Sequence, residues 1–235
     1  MEKIVVGNMK MNLNEEEIDE YVYKISKYDH SNIELFLAPS FIYLEKFKSG
    51  KFNLTAQDVS IFYDGSYTGE ISASQLKSIG VNSVIIGHSE RRKFFNETST
   101  IINEKLKQAF FQQLKPILCI GEDELNSLED TFKILKLELE NDLVNIDINE
   151  DLIVAYEPVY AIGTGTVIDI ERIKFTINKL KQYFYDKYEK NIKIIYGGSV
   201  NEKNIEDIVK ICDGVIVGKM SLNVEKFMNL IDKIK

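Results

Sequence analysis

Ser83-Val84-Ile85-Ile86-Gly87-His88-Ser89-Glu90 passes from an apolar, β-branched run to a glycine and then to three polar side chains. Val84–Ile86 shows no polar alternation, as in a strand buried on both faces of a parallel sheet, and a glycine ends it. Read as Ser83–Gly87, the run has seven counterparts: Ile4–Gly7, Ile33–Ala38, Asn53–Gln57, Pro116–Ile120, Leu152–Ala155, Ile192–Tyr196 and Gly214–Val217. Between them the period lengthens. Ile18, Tyr21, Val22 and Ile25 recur at helical spacing, so residues 14–27 are predicted as a helix, with Asn14 and Glu17 as its capping box. Similar stretches run through Phe41–Lys48, Ser72–Ile79, Thr100–Leu114, Leu128–Leu143, Ile170–Tyr188, Glu202–Ile211 and Val224–Ile234. Gly50 and Gly80 stand just beyond two of these, where left-handed C-caps are expected.

Eight strands alternating with eight helices predict a single α/β domain over residues 1–235, a closed (β/α)8 barrel of parallel strands ringed by helices. An open doubly wound sheet is the alternative, but its dinucleotide signature G-x-G-x-x-G is absent: the first strand runs into Gly7-Asn8-Met9-Lys10. No Pro/Gly/Ser linker divides the chain.

Composition narrows the function. With 235 residues and 44% hydrophobic content the chain can bury a core without staples. Its 37 acidic against 29 basic residues leave a net charge of −8, which argues against a nucleic-acid or membrane-surface role. No apolar run reaches membrane-spanning length and no secretory leader is read. Two cysteines, Cys119 and Cys212, make no disulfide framework and point to a reducing compartment. Two His and two Cys at unrelated spacings give no metal motif.

In such a barrel the active site is built at the carboxyl ends of the strands. The residues just past the runs are therefore read as one ring: Asn8 and Lys10; Gln57; His88, Ser89 and Glu90; Cys119, Gly121 and Glu122; Glu157; Gly197-Gly198-Ser199; Gly218-Lys219. Singly, most have plain explanations. Lys10 is one lysine among many, His88 serves equally as a core histidine, Glu90 as an ion-pair partner for Arg91 and Arg92, and Cys119 as a small buried hydrophobe. Jointly, a Lys, a His and a Glu among glycine-bearing loops suit proton transfer on a phosphorylated small molecule. Gly197, Gly198 and Gly218 let a backbone approach an anion closely, or simply make tight turns. Glu157 stands at the foot of Pro158–Thr166, whose Gly163 and Gly165 read as hinges of a lid over a base.

Five motifs, in order, resemble the triosephosphate isomerase family: residues 7–12, residues 86–92, Cys119-Ile120-Gly121-Glu122, residues 155–165 and Tyr196-Gly197-Gly198-Ser199-Val200. The resemblance implies a cofactor-independent isomerase of glycolysis and gluconeogenesis. Such an enzyme interconverts dihydroxyacetone phosphate and D-glyceraldehyde 3-phosphate through an enediolate. It implies Glu157 as base, His88 as electrophile and proton shuttle, and Lys10 as the positive charge facing the enediolate. Asn8 would position substrate, Glu90 would support Lys10, and Gly163, Ser199 and the Gly218–Lys219 backbone would hold phosphate. It further implies a cytoplasmic homodimer joined through the Asp64–Glu70 loop. Met9 and Tyr160 stand where the family commonly has tryptophan, and Lys219 where a second glycine is frequent. The chain is also short between Glu122 and Leu152, suggesting a trimmed outer helix or loop. An epimerase barrel and a catalytically idle phosphate binder are the competing readings.

Overall fold

The computed structural model describes residues 2–161 and 168–235. Eight strands, β1 Lys3–Asn8, β2 Ile33–Ala38, β3 Asn53–Ala56, β4 Ser83–Ile86, β5 Lys115–Ile120, β6 Ile153–Tyr156, β7 Lys193–Tyr196 and β8 Gly214–Val217, form a closed barrel in chain order. Every neighbouring pair is parallel, and β1 pairs with β2 on one side and β8 on the other. The α-helices around it are α1 Glu15–Ile25, α2 Ala73–Ser78, α3 Ser89–Phe95, α4 Ser99–Phe111, α5 Leu128–Asp142, α6 Ile170–Tyr188, α7 Ile205–Ile211 and α8 Val224–Asp232.

Strand side chains alternate between two cores. Ile4, Val6, Phe36, Ala38, Ile85, Ile117, Cys119, Ile153, Ala155, Ile195 and Ile216 fill the barrel interior. Their sequence neighbours, such as Val5, Leu35, Val84 and Val154, join a larger cluster beneath the helices. A strand flips its side chain at each residue, so the inward set continues past the strand ends. Asn8 follows Ile4 and Val6, and Glu157 follows Ile153 and Ala155. That parity delivers both to the carboxyl mouth.

The capping box of α1 forms as expected: Asn14 Oδ1 accepts from Glu17 N–H and Glu17 reaches back to Asn14 N–H. Gly80 follows α2 with φ +91°, but Gly50 is not left-handed. Phe41–Phe47 winds as a 3₁₀ segment and not an α-helix; Ser40 makes no side-chain cap bond, and Tyr43 N–H reaches back three residues to Ser40 O. The expected Glu202–Ile211 helix begins only at Ile205, after a turn in which Asn201 and Asn204 bond each other. Helix α3 has no counterpart in the hydrophobic pattern because none of its residues is buried. Between Glu122 and Leu152 the outer helix is α5, of 15 residues.

Candidate active site

At the mouth, five of the expected residues form one hydrogen-bonded or near-contact chain. Asn8, 5% exposed, accepts Lys10 N–H on Oδ1 at 3.0 Å. Lys10 sits at φ 52°, a left-handed conformation that costs a non-glycine residue about 1–3 kcal/mol. Its carbonyl is fixed by Gln57 Nε2 at 2.9 Å and Ser40 Oγ at 3.0 Å, so three side chains hold the strained turn. Lys10 Nζ lies 2.7 Å from Glu90 Oε1. The expectation that Glu90 would pair with its neighbouring arginines is thus corrected: α3 turns Arg91 toward Asp58 and Glu97, and Arg92 toward Glu138 and Asp142. Both arginines therefore tie elements together.

His88 caps α3, with Nδ1 accepting Glu90 N–H at 3.2 Å. A ring nitrogen that accepts an N–H carries no proton, which leaves the proton on Nε2. Nε2 lies 3.6 Å from Glu157 Oε1. Glu157 is 3% exposed, and its Oε2 is buried without a hydrogen-bond partner among the described residues. A buried carboxylate oxygen so placed is destabilised unless something arrives to bond it.

The glycines mainly make room for these side chains. A Cβ on Gly197 would meet Glu157 Cγ at 2.6 Å, and one on Gly218 would meet Lys10 Cε at 3.1 Å. Ser199 Oγ donates to Ala161 O at 2.8 Å, and Lys219 is exposed at the start of a 3₁₀ turn, Lys219–Leu222. Gly163 and Gly165 lie outside the described residues. Cys119 is buried; burial first, and the charge of Glu157 next, push its thiol well up, so it stays a protonated hydrophobe. Glu122, placed in the ring by its position, turns outward instead. It is buried beneath the helices, accepts the Tyr156 hydroxyl at 3.0 Å, and burial raises its carboxyl.

One group near the mouth escaped the sequence reading. Glu138 of α5 lines a cavity of about 480 Å³ together with Glu157, Gly87, Cys119 and Gly121. The available signal was its place beside Leu135 and Leu139, which face the core. An acid on that side of an amphipathic helix needs a partner.

The profile of one family, described as triosephosphate isomerase, matches residues 3–234. The chain belongs to the triosephosphate isomerase family. Proteins named triosephosphate isomerase resemble it along almost their whole length. That of Thermodesulfovibrio yellowstonii is 41% identical, over 97% of this chain and 98% of its own. That of Mycoplasma genitalium is 39% identical over 97% of both, and that of Alkaliphilus metalliredigens 36% over 97% and 98%. Membership makes this triosephosphate isomerase-family chain an enzyme of glycolysis that interconverts dihydroxyacetone phosphate and D-glyceraldehyde 3-phosphate.

Proposed function

We propose that the reaction runs on Glu157, His88 and Lys10. Glu157 removes a proton from C1 of dihydroxyacetone phosphate and returns it at C2, and the reverse reaction uses the same group. As the C1–H bond breaks, its electron pair forms the C1–C2 double bond, the C2 carbonyl π pair moves to the oxygen, and an enediolate forms. His88 donates a hydrogen bond from Nε2 to the substrate oxygens and passes a proton between them. Lys10 sets a fixed positive charge against the developing oxyanion, with Glu90 and Asn8 holding it. The observation that carries this reading is the unpartnered, buried Glu157 oxygen beside a histidine whose proton is on Nε2. Gly163, Ser199 and the Gly218–Lys219 backbone would bind phosphate. The test is isomerisation in heavy water: a single carboxylate base predicts deuterium appearing only at the carbon that receives the proton, C2 of the aldose. The carboxyl exchanges its proton with solvent in part of the turnovers and returns the original C1 hydrogen in the rest; a complete absence of deuterium at C2, as in a direct hydride shift, or deuterium at C3, overturns the mechanism.

The whole chain, 1–235, works in this reading as one barrel domain, in the cytoplasm and as a two-fold homodimer. Support for the dimer lies on the surface. Residues 62–70 are all exposed, and the Phe62 and Tyr67 rings stack at 3.5 Å across the Asp64–Glu70 loop. Met11 is 94% exposed, and Phe94 and Phe95 on α3 stand open as well. Apolar groups of this size beside an active site favour cover by a second copy. Light scattering that gave a fully active monomer would remove it.

A further inference from the structure

Helix α5 reaches the mouth through one carboxylate, Glu138, which meets the guanidinium of Arg92 on α3. Glu138 Oε2 accepts Gly121 N–H at 3.0 Å, and Oε1 lies 3.1 Å from Arg92 Nη1. Arg92 in turn donates to Gly87 O at 2.8 Å, Cys119 O at 3.0 Å and Asp142 Oδ2 at 2.7 Å. The pair thus grips the ends of β4 and β5 from outside the barrel.

Those ends are where the reacting groups hang. His88 follows Gly87 directly. Glu157 N–H donates to Ile120 O at 2.8 Å, and Val159 N–H to Glu122 O at 3.0 Å. A Cβ on Gly121 would strike Glu157 O at 1.8 Å, so these two backbones already touch. A shift of Gly121 is therefore passed to Glu157.

We propose that Glu138 is a positioning residue for the isomerase: through Gly121 and Arg92 it holds the β5 and β4 ends that carry Glu157 and His88. The proposal rests on the assignment of those two as reacting groups.

A neutral amide could accept the Gly121 N–H equally well, so the charge itself needs a reason. Burial pushes the Glu138 carboxyl up from 4.5 to about 7, with Arg92 opposing the rise and Asp142 and Asp123 adding to it. Lys93 from α3, Cys119 from β5 and Glu157 after β6 line the same cavity, while Asn103 from α4 bonds the Asp142 carbonyl and brings no charge. Around neutrality, then, Glu138 passes between an anion that binds Arg92 strongly and a neutral acid that does not. The grip on β4 and β5 weakens as pH falls through that range.

The test is Glu138→Gln, which keeps an acceptor for Gly121 and removes the charge. Wild-type kcat should fall as pH drops through about 7 with KM steady, because the phosphate loops are not touched. The variant should lack that inflection and, at about pH 8, turn over about three- to tenfold more slowly than wild type. Stability moves the other way. A carboxyl whose folded value lies above its unfolded one binds more protons when folded, so its contribution to stability declines as pH rises from 4.5 to about 7. At about pH 8 the variant should therefore melt no lower than wild type. Slower turnover without a lower Tm is the expected pattern. A kcat–pH curve superposing on wild type, or a loss of activity matched by a lower Tm, overturns the proposal. If Glu138→Gln fails to fold, carbon-13 NMR of labelled glutamates in the wild-type enzyme decides: a Glu138 carboxyl titrating at its ordinary value overturns it equally. Failure of the Glu157 assignment would show separately, as turnover surviving in Glu157→Gln.

Discussion

The two ends of the barrel put their charged side chains to different use. At the amino end, charged side chains at or beside the strand starts meet partners. Lys115 bridges the floor to Glu34 at 3.0 Å, Lys181 pairs with Asp213 at 2.9 Å, and Lys3 donates to Cys212 O at 2.8 Å. Asp213 also accepts Ile194 N–H at 2.8 Å, tying β7 to the start of β8. At the carboxyl end Lys10 is held left-handed, and a buried oxygen of Glu157 has no hydrogen bond among the described residues. The same eight strands support both ends, so the contrast is not one of packing quality. Departures from local rules occur at both ends, among them the Ser83 Oγ at the start of β4, unpartnered among the described residues, and the left-handed Gln113 before β5, but at the mouth they fall on the groups that have to react.

The contrast breaks first at Glu157. Glu157→Gln keeps the shape but cannot take a proton, so kcat should fall at least ~100-fold with circular dichroism unchanged; near-normal turnover would make the orphaned oxygen a mere packing defect. Lys10→Met comes next. It removes the charge and should lower kcat/KM by about 3 kcal/mol, in line with other preorganised donors; a loss under about threefold would return Lys10 to the solvated surface. Lys219→Gly sharpens the comparison within the mouth itself. Its side chain is exposed, so KM should stay within about threefold, and a large salt-sensitive rise would show its ammonium touching phosphate. The smallest effect belongs to the other end. Lys115→Met cuts a half-exposed pair and should change stability by under about 1 kcal/mol and kcat not at all.

The barrel was legible because strands buried on both faces read as unbroken apolar runs, and all eight stand within two residues of where the runs put them. The reacting side chains were legible because inward parity continues past the strand ends to Asn8 and Glu157. Other features left no trace in periodicity. Helix α3 has no buried face, so nothing in Ser89–Phe95 repeats. The left-handed turn at Lys10 depends on Gln57 and Ser40, which are distant in sequence. Glu122 follows a strand end like its neighbours in the ring, yet points outward, because one residue of phase reverses a side chain. Glu138 lay in a helix whose outer face is also acidic, and only the core-facing position of Leu135 and Leu139 distinguishes it.

The seam between the first and last strands governs how this molecule comes into being. Ile4 lies opposite Gly214, where a Cβ would meet Ile4 O at 1.9 Å, and the ring shuts only when β8 arrives. The nearby surface is latched by Tyr28 to Asp232 at 2.6 Å and Lys24 to Glu225. On the ribosome β1 emerges first and must wait for nearly the whole remaining chain before its second edge is covered. Until then the nascent chain shows two raw strand edges, each a template for a stray chain. A premature stop before Gly214 should therefore produce a sticky, open sheet and not a slightly weakened enzyme.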